Sequence, residues 1–271
     1  MTDPLITDPD PRRHPPAVTQ VFTVPSAGLD LLGVLHRPAG PGPHPAVAVL
    51  HGFPGNERNF DLAHALRRAG YASLVFHYRG AWGSPGRFTW AHVQQDAAAA
   101  VAALRADPGL DPHRIALVGH SMGGYTALRT AAADPGIRAV ASLAGFDFGA
   151  AAAEVRADPA VYAAYVDGFA GDIAPLAGTS SAALIAELAT IPDRLTALAP
   201  ALADRPVLLA AGDHDTAAPP AVHHEPLVAA LPHAVDHRWP TDHAFSDHRV
   251  ALARAVLAFL DAALPPATGG A

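Results

Sequence analysis

Cysteine is absent from the 271 residues, and so is lysine: all 18 basic residues are arginine. The first absence excludes a thiolate nucleophile, Cys-ligated zinc, iron–sulfur clusters and any disulfide framework. The second removes Schiff-base chemistry and the lysine with which a P-loop holds phosphate. Charge is sparse, at 16% of residues with a formal net charge of −7, and no basic run stands out. No nucleic acid and no membrane are therefore expected as partners. An oxygen nucleophile acting on a small, neutral or apolar substrate remains. Residues 1–16 are rich in Pro and Asp and lack the apolar core of a signal peptide, which reads as a loose N-terminal arm on a cytoplasmic protein. No internal repeat of fixed period is present, so solenoids and propellers fall away.

What the chain does have is apolar residues, 50% of the total, enough for one sizeable core. The length suits a single α/β domain with an insertion better than two independent domains. Residues 18–24 and 29–36 read as a β-hairpin around Ser26-Ala27-Gly28. Strand and helix then alternate: strands at 46–50, 71–76, 115–118 and 139–143, helices at 56–68, 91–105 and 121–133. That rhythm implies parallel strands with right-handed crossovers. It lapses over residues 147–202, where Ala-rich helical segments are broken by Pro and Gly, and this stretch reads as an inserted helical cap. The rhythm resumes with a strand at 207–211, a helix near 224–230, a strand at 235–239 and a closing helix over 246–264. The expected organisation is a flexible arm at 1–17, a core formed by 18–146 and 203–264, a cap at 147–202 and a frayed tail at 265–271.

The sharpest motif is Gly119-His120-Ser121-Met122-Gly123, directly after an apolar strand and directly before a helix. In that context G-x-S-x-G forms a tight elbow that presents the serine hydroxyl at the carboxyl edge of the sheet. Small residues on either side let neighbouring backbone pass. A hydroxyl needs a base, and a site built on this elbow places its acid and its His later in the chain, in that order. The strand at 207–211 empties into Gly212-Asp213-His214-Asp215. Asp215 is preferred as the acid because it lies further from the strand, and Asp213 is assigned to the turn. Among 16 His, His243 alone has a positional argument, lying between the last strand and the last helix. His223-His224-Glu225 invites a metal reading, but adjacent side chains on a helix diverge by about 100° and no third ligand is evident. No metal and no cofactor are expected. An oxyanion needs two donors: the N–H of Met122, after the nucleophile, and one from His51-Gly52-Phe53-Pro54-Gly55, where Phe53 is chosen because Pro54 has no N–H.

His51-Gly-Phe-Pro-Gly55, Gly119-His-Ser-Met-Gly-Gly124, Gly212-x-x-Asp215 and Asp242-His243 together resemble the α/β-hydrolase family over residues 18–264. Tyr78-Arg79-Gly80-Ala81-Trp82-Gly83-Ser84 is similar to a loop of small esterases, dienelactone-hydrolase-like enzymes and the catalytic domains of prolyl-oligopeptidase-like peptidases. A commoner form has Asp where Tyr78 stands, so a role for that Asp is lost here. The resemblance implies an α/β-hydrolase fold, a mostly parallel sheet of about eight strands with helices on both faces and an inserted cap. It implies a serine esterase with Ser121, Asp215 and His243 as catalytic triad. Cleavage of a small, largely apolar carboxylic ester or thioester leads. Amide hydrolysis or acyl transfer with the same triad, and a non-hydrolytic enzyme or binding protein reusing the pocket, are the alternatives. Substrate contacts are expected from Tyr162, Tyr165 and Phe169 in the cap and from Trp82. A homodimer is left open.

Overall fold

The structure, a computed structural model, describes residues 3–264. An antiparallel hairpin of β1 (Val18–Ser26) and β2 (Leu29–Arg37) leads into β3 (His44–Leu50), α1 (Phe60–Arg68), β4 (Ala72–Phe76), α2 (Trp90–Ala106) and β5 (Leu110–His120). Then come α3 (Met122–Ala133), β6 (Ile137–Leu143), α4 (Phe148–Ala157), α5 (Pro159–Ala170), α6 (Ser181–Leu188), a single 3-10 turn at Leu195–Leu198 and α7 (Ala199–Leu202). β7 (Val207–Gly212), α8 (Pro220–His223), α9 (Glu225–Ala230), β8 (Val235–Trp239) and α10 (Arg249–Ala263) complete the described chain. The eight strands form one sheet in the order β1-β2-β4-β3-β5-β6-β7-β8, antiparallel at β1/β2 and β2/β4 and parallel elsewhere. This is the doubly covered α/β fold that the sequence resemblance implied.

The central strands are largely apolar on both sides because both faces of the sheet are covered. Alternation divides them: Leu74, Phe76 and Leu117 point into a core under α2, α3, α4 and α6, while Val49, Val75 and Val118 point to the opposite face under α1 and α10. Residues 147–202 leave and rejoin the sheet between β6 and β7. Asp147 pins both ends of the segment: its carboxylate accepts from Gly149 N at 3.1 Å, capping α4, and from Arg194 Nε and Leu195 N, each at 3.1 Å. The segment is also stitched to the loop after β4, where Ala177 N donates to the Gly80 carbonyl at 2.7 Å and Trp82 N to that of Pro175 at 2.9 Å.

Several boundaries differ from the sequence reading. α1 begins at Phe60, not residue 56, because Asn59 sits at φ 58° and breaks the helical run. Ser121 lies outside α3, at φ 56°. The helix expected near 224–230 is α9, preceded by a separate short α8 that opens on Pro220, and α10 starts at Arg249, not residue 246. The N-terminal segment, expected to be loose, is tied down: the Pro4 carbonyl accepts from Arg68 Nε, Asp3 pairs with Arg254 at 2.8 Å, and Leu5 packs on the core beneath α1 and α10. The tail at 265–271 lies outside the described residues.

Candidate active site

Ser121 stands in the turn that ends β5, with φ 56° and ψ −119°, a backbone region that non-glycine residues rarely occupy. Its surroundings hold it there. Ser121 N donates to the Leu143 carbonyl at 2.9 Å, and its own carbonyl accepts from Gly124 N at 2.9 Å and Phe146 N at 3.1 Å. A Cβ at Gly119 would run into the Gly123 carbonyl, and one at Gly123 into the Leu50 carbonyl. Both small residues of the motif are therefore required by close backbone approach. Gly52 meets the same condition, since a Cβ there would lie 2.9 Å from that of Ser121.

The loops after β7 and β8 bring Asp215 and His243 together. His243 Nδ1 lies 2.6 Å from Asp215 Oδ2, and a carboxylate can only accept, so the ring proton sits on Nδ1 and Nε2 is left as the basic nitrogen. The other oxygen of Asp215 accepts from Ala217 N at 2.9 Å and Ala218 N at 2.8 Å. Burial opposes ionisation of Asp215, but the hydrogen bond and charge of His243, helped by these two amides, outweigh it and hold the carboxyl below its usual range. Asp213 instead accepts from Arg238 at the surface, 2.8 Å away. Of the two carboxylates on this loop, Asp215 thus meets the His243 imidazole and Asp213 does not.

Ser121 and His243 border one cavity of about 160 Å³. Phe53, Met122 and Phe169 line it as well, together with Trp90, Phe146 and Phe148, whose contribution the sequence reading did not foresee. The Ser121 hydroxyl and the His243 ring make no direct hydrogen bond, a gap that unliganded sites commonly close only around substrate. The N–H groups of Phe53 and Met122 have no acceptor among the described residues and flank the same space. The rings interlock: Phe53 stacks on Phe169 at 4.8 Å, Trp90 meets Phe148 at 4.8 Å, and His223 stacks behind Phe146 at 4.5 Å.

Three expected substrate contacts lie elsewhere. Trp82 borders no part of this cavity; its Nε1 donates to the Pro54 carbonyl at 2.8 Å with Arg58 over the ring at 4.2 Å, so it buttresses the loop carrying Phe53. Tyr165 directs its hydroxyl to Glu154 at 3.3 Å, and Tyr162 packs on the core without reaching the cavity. Arg79 is buried against Asp96 at 2.7 Å, and Asp96 also accepts from Ser26 Oγ at 2.7 Å, a structural pair that anchors the loop after β4 to α2 and the hairpin. Tyr78 is fully buried, edge-on to His51 at 4.6 Å. His223 accepts at Nδ1 from Asp147 N at 3.0 Å and His224 pairs with Asp236 at 2.7 Å; among the described residues no cluster of His and acidic side chains could hold a metal. No helix among the described residues is long and apolar enough to cross a membrane.

Residues 45–205 match the family model of the alpha/beta hydrolase fold, and the chain belongs to that family. It is 31% identical to 2,6-dihydropseudooxynicotine hydrolase of Paenarthrobacter nicotinovorans over 146 residues, 50% of this chain and 37% of that protein. It is 35% identical to the quorum-quenching protein AidA of Acinetobacter baumannii over 141 residues, 46% of each chain. The match thus spans less than half the length of these curated relatives. Among solved structures, dienelactone hydrolase from Anabaena variabilis superposes with a TM-score of 0.63 at 18% identity, covering 92% of this chain and 99% of that one, a likeness of fold.

Proposed function

We propose that this chain is a serine hydrolase that cleaves a carboxylic ester or thioester of a small, largely apolar substrate through an acyl-enzyme. One observation carries the reading: Ser121 in its strained turn and His243, oriented by Asp215 at 2.6 Å, border the same aromatic cavity. Ser121 Oγ attacks the carbonyl carbon as His243 Nε2 takes its proton, and the N–H groups of Met122 and Phe53 receive the oxyanion. Collapse of the tetrahedral intermediate expels the alcohol or thiol, which takes the proton back from His243. The same ring then activates water, and a second collapse releases the acid and restores Ser121. Residues 147–202 act as the cap, contributing Phe169 to the apolar wall. The Paenarthrobacter relative is a hydrolase by name, which favours hydrolysis over acyl transfer.

A fluorophosphonate probe tests the reading without knowledge of the substrate. Wild-type protein should label at Ser121, Ser121→Ala should not, and a panel of esters and thioesters of graded acyl length should then find turnover. Absence of labelling in folded wild-type protein, with no panel member hydrolysed, would overturn it.

A further inference from the structure

The cavity that Ser121 borders is not uniformly apolar, because Asp172 is the one carboxylate among its lining residues. Asp172 follows the end of α5, and its N–H donates to the Phe169 carbonyl at 3.1 Å, so the acid and the aromatic ring are held on one short turn. Among the described residues, Asp147, Asp213, Asp215 and Asp236 each pair with an arginine or histidine, whereas Asp172 has no such partner. Asp172 is half-buried, so water screens its charge only in part on the side that borders the cavity. The walls themselves favour a cation, since aromatic faces carry negative potential and here Phe53, Phe169, Trp90, Phe146 and Phe148 crowd around one small space. Its volume of about 160 Å³ is close to that of apolar cavities known to hold one benzene, which suits a trimethylammonium-sized head.

On the serine-hydrolase reading above, we infer that the preferred ester carries a quaternary or protonated amine, seated between these rings and Asp172. Asp172 is then a specificity-determining residue that contacts substrate but takes no part in bond making.

Two matched ester pairs test this. On the acyl side, the p-nitrophenyl ester of γ-trimethylammoniobutyrate is compared with the isostere in which carbon replaces nitrogen. On the alcohol side, choline butyrate is compared with its carbon isostere. In at least one pair wild-type protein should favour the cation by about tenfold or more in kcat/KM. Asp172→Asn should bring that ratio close to one, with the fall coming from kcat/KM for the cationic ester, because the charge is removed and the volume kept. The Asp172 side chain caps and pairs with nothing among the described residues, so the variant should fold; equal melting temperatures check this, and Asp172→Ser serves as a second neutral replacement. No cation preference in either pair, or one that survives both replacements, would overturn the inference. Should Ser121 fail to label and neither pair turn over, the hydrolase reading fails separately. Calorimetry with γ-trimethylammoniobutyramide then decides the cation site: binding weakened about tenfold by Asp172→Asn upholds it, and absent or unchanged binding overturns it.

Discussion

The Nε2 atom of His120 donates a hydrogen bond to the main-chain carbonyl of His243 at 2.7 Å, which joins the residue before the elbow serine to the residue across the cavity from it. The bond fixes the tautomer of His120, because a carbonyl can only accept. Its Nδ1 has no partner, and burial, reinforced by repulsion from His243, pushes the ring down to about 4, so it stays neutral. On the proposed reading, this neutral imidazole tethers the loop that carries His243 and so positions its ring. His120→Ala should lower kcat by about 10²-fold with little change in KM, as a displacement of about 1 Å in a reacting group can do. His120→Gln, which retains a donor of similar reach, should recover part of the loss. A kcat unaffected by His120→Ala in folded protein would show that the tether is only structural.

Removal of Ser121 or His243 should cost roughly 10⁴- to 10⁶-fold in turnover, the range seen when one member of such a cooperating unit is deleted. Asp215→Asn should cost about 10⁴-fold, because an amide can donate to Nδ1 and so favour the wrong tautomer of His243. Asp213→Asn should cost little, since the Asp213 side chain pairs with Arg238 at the surface, away from His243. Steady-state kinetics on the four variants check the assignment, and greater damage from Asp213→Asn would reverse it.

The parts of the site that follow a strand were legible in the sequence. Phe53, Ser121 and Asp215 each stand just beyond an apolar run and His243 just beyond the last, more polar strand, all at turns marked by Gly, Pro or Asp, and a parallel sheet gathers such turns at one edge. Phe146 and Phe148 follow β6 at that same edge, so the argument that found Asp215 could have found them. Trp90 and Asp172 carried no such signal, because their place depends on how the insertion folds back over the sheet. For Tyr162, Tyr165 and Phe169 the sequence marked aromatic residues of the inserted segment but not the rotation of α5, which is set by tertiary contacts such as that of Phe169 with Phe53.

That rotation separates the three residues functionally. Phe169 stacks on Phe53 and borders the cavity, while Tyr162 and Tyr165 do not. Phe169→Ala enlarges the space and should shift preference toward bulkier acyl groups by several-fold in relative kcat/KM, since one methylene-scale contact is worth about 1–3 kcal/mol. Tyr162→Ala and Tyr165→Ala should leave the chain-length profile unchanged. A profile altered equally by all three would mean that α5 acts as a lid whose general packing, not its contact surface, sets selectivity.

Stability should fall on mild acidification because several histidines are buried as neutral rings. Burial is the largest cause in each case: it pushes His51 down to about 3 and His36, His77, His120 and His223 down to about 4, from an ordinary value of 6.5. The unfolded chain therefore takes up protons at a higher pH than the folded one. Stability from these groups is fully present above pH 6.5 and is lost as the pH falls toward 4. Each ring can contribute up to about 1.4 kcal/mol per pH unit within that window, so a few acting together can remove most of a stability of about 5–15 kcal/mol. The carboxyls of Asp61, Asp134 and Asp215, held below their usual range, add their own loss only below about 3.8, so unfolding that begins between pH 6 and 5 points to the histidines. Urea midpoints measured from pH 8 to 4.5 should fall continuously below about 6.5, with urea m-values unchanged. His36→Phe removes one titrating ring far from the cavity and should flatten the slope by up to one proton's worth. A midpoint constant from pH 7 to 5 would mean that these rings reach water and titrate alike in both states.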